Sequence, residues 1–164
     1  MKNVVFTGGS SLLAQSWIRN ETPDHSFILG IHNRKLDQKK WKTAIFDYED
    51  ESKLYSQLKS LNVDILINCI GLTNVENCEK NKEKAFQSNA IIAKNISKVC
   101  KELSIKMVHI STDHLFEGKK AFAEENLPKD PLNIYAESKG QGEDFILDKN
   151  SDAIIIRTNF FGWG

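Results

Sequence analysis

The sequence lacks an excess of either charge: 22 Lys and Arg balance 22 Asp and Glu among 164 residues. A balanced surface sets up no net field for nucleic acid or for an anionic membrane, so neither is expected as a partner. No apolar run approaches the roughly 20 residues that a membrane-crossing helix needs. Cys69, Cys78 and Cys100 are odd in number and lack close metal-ligand spacing, and His25, His32, His109 and His114 form no ligand pattern. No metal is assigned, and the thiols are read as reduced, in a cytoplasmic protein. Internal repeats and low-complexity segments are absent too, and the length fits one domain.

What is present is alternation. Strands are expected at Asn3 to Thr7, Ser26 to Ile31, Thr43 to Asp47, Asp64 to Ile70, Lys106 to Ile110 and Ala153 to Arg157. Helical patterns lie between them: from the Gly8-Gly9-Ser10-Ser11 turn to about Asn20, from Glu51 to Leu61, and from Ile134 to Leu147. Phe86, Ala90, Ala93, Ile96, Cys100 and Leu103 recur every three or four residues and predict one long amphipathic helix. Asp64 to Ile70 is apolar almost throughout, as suits a central parallel strand covered on both faces. Strands alternating with helices imply right-handed crossovers and a doubly wound, parallel α/β sheet. The charged, Pro-containing loop from Glu117 to Pro131 is long for a strand-to-helix connection and is a candidate for active-site structure. The ending Phe160-Phe161-Gly162-Trp163-Gly164 is apolar, whereas chain termini are more often polar, so the chain is read as the N-terminal portion of something longer.

The most informative motif is Tyr135-Ala136-Glu137-Ser138-Lys139, which follows Ser111-Thr112-Asp113. A tyrosine and a lysine four apart share one helix face. A phenol keeps its proton to about pH 10. An adjacent ammonium favours the phenolate and is expected to bring the tyrosine toward useful acidity. Such spacing alone is usually just a solvated helical pair. Here it sits on the helix after strand five, and Thr112 ends that strand, where open α/β sheets bind ligands. This is the outline of a carbonyl reductase.

The turn after strand one, Thr7 to Ala14, has two readings. It could cradle a pyrophosphate at a helix N-terminus, or be an ordinary N-capped turn. Only Gly8 matches its place in a Gly-x-x-Gly-x-x-Gly pattern; Ser11 and Ala14 occupy the other two. Strand two runs into Ile31-His32-Asn33-Arg34-Lys35, without the acidic residue that meets an NAD ribose. Arg34 there suits the 2′-phosphate of NADP, and a solvated basic loop is the alternative. NADP(H) is therefore preferred, with NAD(H) open. Asp47 could accept from an adenine amino group or simply face water, and Gly71 could let the chain pass a flat ligand or only turn. Asn89 is expected to tie its helix to a neighbouring strand through a backbone hydrogen bond. His109, in an apolar run, reads as a satisfied core histidine.

Together these residues resemble the extended short-chain dehydrogenase/reductases, and within them the dTDP-4-dehydrorhamnose reductases and related nucleotide-sugar enzymes. The resemblance rests on Ile67-Asn68-Cys69, Thr73-Asn74-Val75-Glu76, Asn89, Ser111 to Gly118, Pro131 to Glu143, and Arg157-Thr158. It implies a Rossmann-like NAD(P)-binding domain over residues 1–164, with the substrate domain largely missing, and a triad of Thr112, Tyr135 and Lys139. By the same resemblance NADPH would reduce the ketone of a nucleotide-linked hexose, in dTDP-rhamnose and surface-polysaccharide synthesis. Tyr135 would protonate the alkoxide, Lys139 would bind the nicotinamide ribose, and Thr112 would orient the carbonyl beside Asp113 and His114. Ser11, Leu12 and Leu13 would meet the phosphates, Asp47 and Tyr48 the adenine, and Gly71, Leu72 and Thr73 would pass along the cofactor. His114 replaces the tyrosine usual in this motif, which leaves the sugar open. It also stands where a dehydratase needs glutamate, which disfavours dehydration. Such enzymes build their substrate domain mainly after strand six, so poor turnover by this chain alone is expected. An epimerase on the same scaffold is an alternative. So is a non-catalytic NADP-binding regulatory subunit, of the kind found with methionine adenosyltransferase. A homodimer is open.

Overall fold

The computed structural model describes residues 1–19, 24–31, 41–119 and 124–159. Its β-rich runs form six strands: β1 (Lys2–Thr7), β2 (His25–Ile31), β3 (Lys42–Ile45), β4 (Ile65–Asn68), β5 (Lys106–Thr112) and β6 (Ile154–Thr158). All neighbours pair in parallel, in the order β3-β2-β1-β4-β5-β6. From β1 the chain steps outward to β3, returns past β1 to β4, and then steps the other way to β6. Right-handed crossovers put the helices of these two halves on opposite faces, so the expected doubly wound, Rossmann-like class stands.

The pleat divides β1 between two cores. Val4 and Phe6 pack with Ala14 and Ile18 of α1 (Leu12–Arg19). Val5 points the other way, into a cluster with Leu54 and Leu58 of α2 (Glu51–Ser60), Ile96 of α5 (Ile92–Glu102) and Ile146 of α6 (Ile134–Lys149). Among the described residues, no helix is long and apolar enough to cross a membrane.

Strand ends differ from expectation where a side chain takes over from the ladder. β4 stops at Asn68 because the Ile70 N–H donates to Asn68 Oδ1. β3 stops before Asp47, whose N–H donates to Gln57 Oε1 of α2. β5 instead runs on to Thr112, since Ser111 and Thr112 still pair with Arg157 and Thr158. A helix that periodicity did not predict, α3 (Val75–Lys80), forms where the Asn74 side chain accepts from Asn77 N at 2.7 Å. The expected long helix is a continuous helical run, but it is not uniform: α4 (Lys82–Phe86) passes through a π-helical turn, Gln87–Ile91, into α5.

Candidate active site

A cavity of about 540 Å³ opens at the carboxyl ends of β1, β4 and β5, where the strand order reverses. Open α/β sheets bind ligands at such a reversal, because the loops on either side of it diverge and leave a crevice.

The first wall is the β1–α1 turn, which contributes Ser11, Leu12 and Leu13. Gly8 begins it at φ +64°, a left-handed conformation, and an added Cβ there would come within 3.0 Å of the Cys69 carbonyl carbon. Ser11 Oγ accepts from Ala14 N at 3.2 Å and so caps α1. The second wall is the segment after β4, with Cys69, Gly71 and Thr73. Burial pushes the Cys69 thiol up to about 12. Asn89, on the π-helical turn, fixes this segment: its Oδ1 accepts from Leu72 N at 2.7 Å and its Nδ2 donates to Leu72 O at 3.1 Å. The same Nδ2 faces Ser138 Oγ at 2.9 Å, and Ser138 Oγ donates to Tyr135 O. Asn89 thus makes a backbone tie, to the segment after β4 and not to a strand as expected, and it reaches the Tyr135 helix as well.

That helix makes the third wall. Asn133 caps α6, accepting from Ala136 N at 2.9 Å, and Glu79 of α3 accepts from Ile134 N at 2.8 Å. Tyr135 and Lys139 then face the cavity alongside Thr112. Thr112 Oγ1 accepts from His114 N at 3.2 Å, and the His114 and Tyr135 rings meet edge to face, 6.1 Å between centroids. The carboxyl of Asp113 lies 3.5 Å from Thr112 Oγ1. Asp113 and His114 are about half exposed, at 52% and 47%.

Lys139 is buried, and its Nζ donates to Ile110 O at 2.6 Å and lies 3.3 Å from His109 Nε2. Burial lowers its pKa to about 8, against the opposing pull of Glu143 and Cys69. This corrects the expectation that its ammonium brings the Tyr135 phenol toward acidity. The amine is bonded to β5, and burial raises Tyr135 above its ordinary value, with the Thr112 side chain offsetting only part of the rise.

Of the residues singled out in the sequence, Ser11, Leu12, Leu13, Gly71, Thr73 and Thr112 line the cavity together with His114, Tyr135 and Lys139. Gly8 and Leu72 shape its walls through their backbone, and Asp113 borders Thr112. Asp47 and Tyr48 do not line it. The Asp47 carboxylate accepts from Glu49 N, Asp50 N and Lys53 Nζ, and Lys53 chiefly holds it below the ordinary carboxylate range. Tyr48 is buried in the core, its hydroxyl without a partner among the described residues. Arg34 lies outside the described residues. Sequence reasoning missed Cys69 and Ile110 as cavity walls, and Glu79 as the acceptor at the start of α6. Only the Asn74 capping signal before Glu79 could have pointed to that last contact.

A family model described as the RmlD substrate binding domain matches residues 1–162. A curated relative from Haloferax volcanii, named "Probable low-salt glycan biosynthesis reductase Agl14", is 30% identical over 155 residues, covering 94% of this chain and 52% of that protein. The crystal structure of a hypothetical dTDP-4-dehydrorhamnose reductase from Sulfolobus tokodaii superposes with a TM-score of 0.83 at 31% identity, over 96% of this chain and 55% of that one. A dTDP-4-dehydrorhamnose reductase from Bacillus anthracis, solved in complex with NADP, gives 0.76 at 26% identity, over 96% and 53%. The chain therefore spans about half the length of these relatives.

Proposed function

We propose, since the chain belongs to the RmlD substrate binding domain family, that it is the cofactor-binding part of an NADP(H)-dependent reductase of a nucleotide-activated 4-keto sugar. The observation that carries this reading is one cavity, at the reversal of strand order, shared by the start of α1, Thr112, Tyr135 and Lys139. The residues fit a dinucleotide: Gly8 lets the β1–α1 turn close on Cys69, and the start of α1, with Ser11, Leu12 and Leu13, faces the cavity, where a helix N-terminus favours a phosphate. The NADP held by the Bacillus anthracis reductase, and Arg34 after β2, support NADP over NAD.

Bound in this cavity, NADPH would supply a hydride to the ketone carbon. Tyr135 supplies the proton. Reduction needs a protonated acid, and a phenol raised by burial keeps its proton at neutral pH and gives it to the far more basic alkoxide oxygen. Thr112, at the end of β5, holds that oxygen next to the phenol. Lys139 fixes the position of α6 against β5 and presents its remaining N–H to a ribose hydroxyl. Asp113 and His114, half exposed at the mouth, meet the sugar.

Fluorescence titration with NADPH and NADH tests the cofactor reading; tighter binding of NADPH is expected, and a chain that binds neither overturns it. A single-turnover assay with a dTDP-4-keto-6-deoxyhexose tests the chemistry. Tyr135→Phe should retain NADPH binding while hydride transfer falls about 10²–10⁴-fold. NADPH bound but oxidised by no keto-sugar nucleotide, with Tyr135→Phe indistinguishable, favours a regulatory subunit.

A further inference from the structure

Behind Lys139 lies a chain of buried polar groups that the reductase chemistry does not use. Thr7, Asn68 and His109 are each 0% exposed. The Ile70 N–H can only donate, so the Asn68 amide atom it meets at 3.1 Å is the oxygen. Thr7 Oγ1 donates to that same oxygen at 2.7 Å. Asn68 Nδ2 is thereby turned to His109 Nδ1, 2.9 Å away, and Nδ1 has to accept. Burial, reinforced by Lys139, holds His109 well below its ordinary value, so the ring is neutral and its one proton sits on Nε2. Nε2 faces Lys139 Nζ at 3.3 Å.

We propose that His109, fixed in its Nε2–H tautomer by Asn68 and Thr7, is a positioning residue that aims a ring proton at the Lys139 amine and makes Lys139 an exchangeable base instead of a fixed cation. An ammonium at this place presents a donor to a donor. A neutral amine still donates to Ile110 O and turns its lone pair to the ring N–H. The other titratable groups around Lys139 pull the opposite way: Glu143, one turn along α6, and Cys69, beyond β4, both favour the charged form. Glu143 is itself bound by Arg157 at 2.7 Å and lies 3.4 Å from Lys129. The catalytic meaning rests on the reductase reading above, whereas the placement of the proton does not.

The test reads the proton directly in the 164-residue chain. Long-range proton–nitrogen correlations should show a pyrrole-type Nε2 and a pyridine-type Nδ1 for His109, unchanged between about pH 6 and pH 8. A protonated Nδ1 in the unsubstituted chain overturns the proposal without need of any variant. Carbon-13 at the lysine Cε position, assigned by its loss in Lys139→Met, gives the Lys139 midpoint. In Asn68→Asp the carboxylate can only accept, so the ring should turn over to the Nδ1–H form. Nε2 then accepts from the ammonium, and the Lys139 midpoint should climb by about one pH unit or more. A climb with the tautomer unchanged reports only the added charge and overturns the proposal. If these spectra come out as expected but the chain binds neither NADPH nor NADH, the reductase reading fails and the proton placement stands.

Discussion

Lys139 and Tyr135 show how far a four-residue spacing can be read. That the two would share a helix face followed from α-helical geometry alone. What each side chain meets did not, because the Ile110 carbonyl and the His109 ring come from β5, about thirty residues away. The sign of the tyrosine's shift came from burial, which elements distant in the sequence impose. Gly142 was silent in the sequence for the same reason. In a helix interior glycine costs up to about 1 kcal/mol relative to alanine. Here it lets α6 close on the π-helical turn: a Cβ at Gly142 would lie 2.3 Å from Asn89 O. Gly142→Ala should therefore lose stability despite alanine's better helix propensity, by about 1–3 kcal/mol, since the helices have to move apart. Urea denaturation measures it, and an unchanged or raised midpoint would show that the contact is loose.

At the scale of elements, the strands and most helices were legible because their patterns are local: apolar runs for the strands, three- and four-residue recurrence for the helices. The break inside the long helix was not. Its apolar stripe continues through Ala90 and Ala93 as a uniform helix would. The π-helical turn coincides instead with Asn89, whose amide reaches the segment after β4 and the Ser138 hydroxyl of α6. Such turns are rare and recur at functional sites. One side chain thus joins three elements around the cavity. Asn89→Ala leaves the half-buried Leu72 N–H without this partner while the Leu72 C=O keeps Cys78 Sγ at 3.4 Å, at a cost of about 1 kcal/mol. The segment after β4 should loosen first. Hydrogen exchange should quicken at Leu72 and its neighbours before it does in β1 or β5; equal protection in both proteins would mean that Asn89 only fills space.

For the whole molecule, the reversal of strand order at β1 and β4 gathers segments far apart in the chain at one rim, and it also buries Lys139 beneath that rim. A lysine held in the interior leaves a signature in the pH dependence of folding. Its folded-state value, about 8, lies below the unfolded 10.5. Between those two values the unfolded chain binds more protons, so stability rises with pH across this window. Below about pH 8 the folded state carries a buried ammonium and is at its least favourable. The gap corresponds to about 3 kcal/mol. Buried thiols act in the opposite sense: Cys69 and Cys100 are pushed up to about 12, so above their ordinary value the unfolded chain loses protons that the fold retains. The thiols are common to the unsubstituted chain and to Lys139→Met, and their effect cancels in the difference between the two. Denaturation series at pH 7.5 and pH 10, which span most of the window, should show the variant's advantage shrinking by roughly 2 kcal/mol as pH rises. A difference that stays flat across this window would mean that Lys139 titrates as it does in water, and that the amine under the cavity is not held as the structure has it.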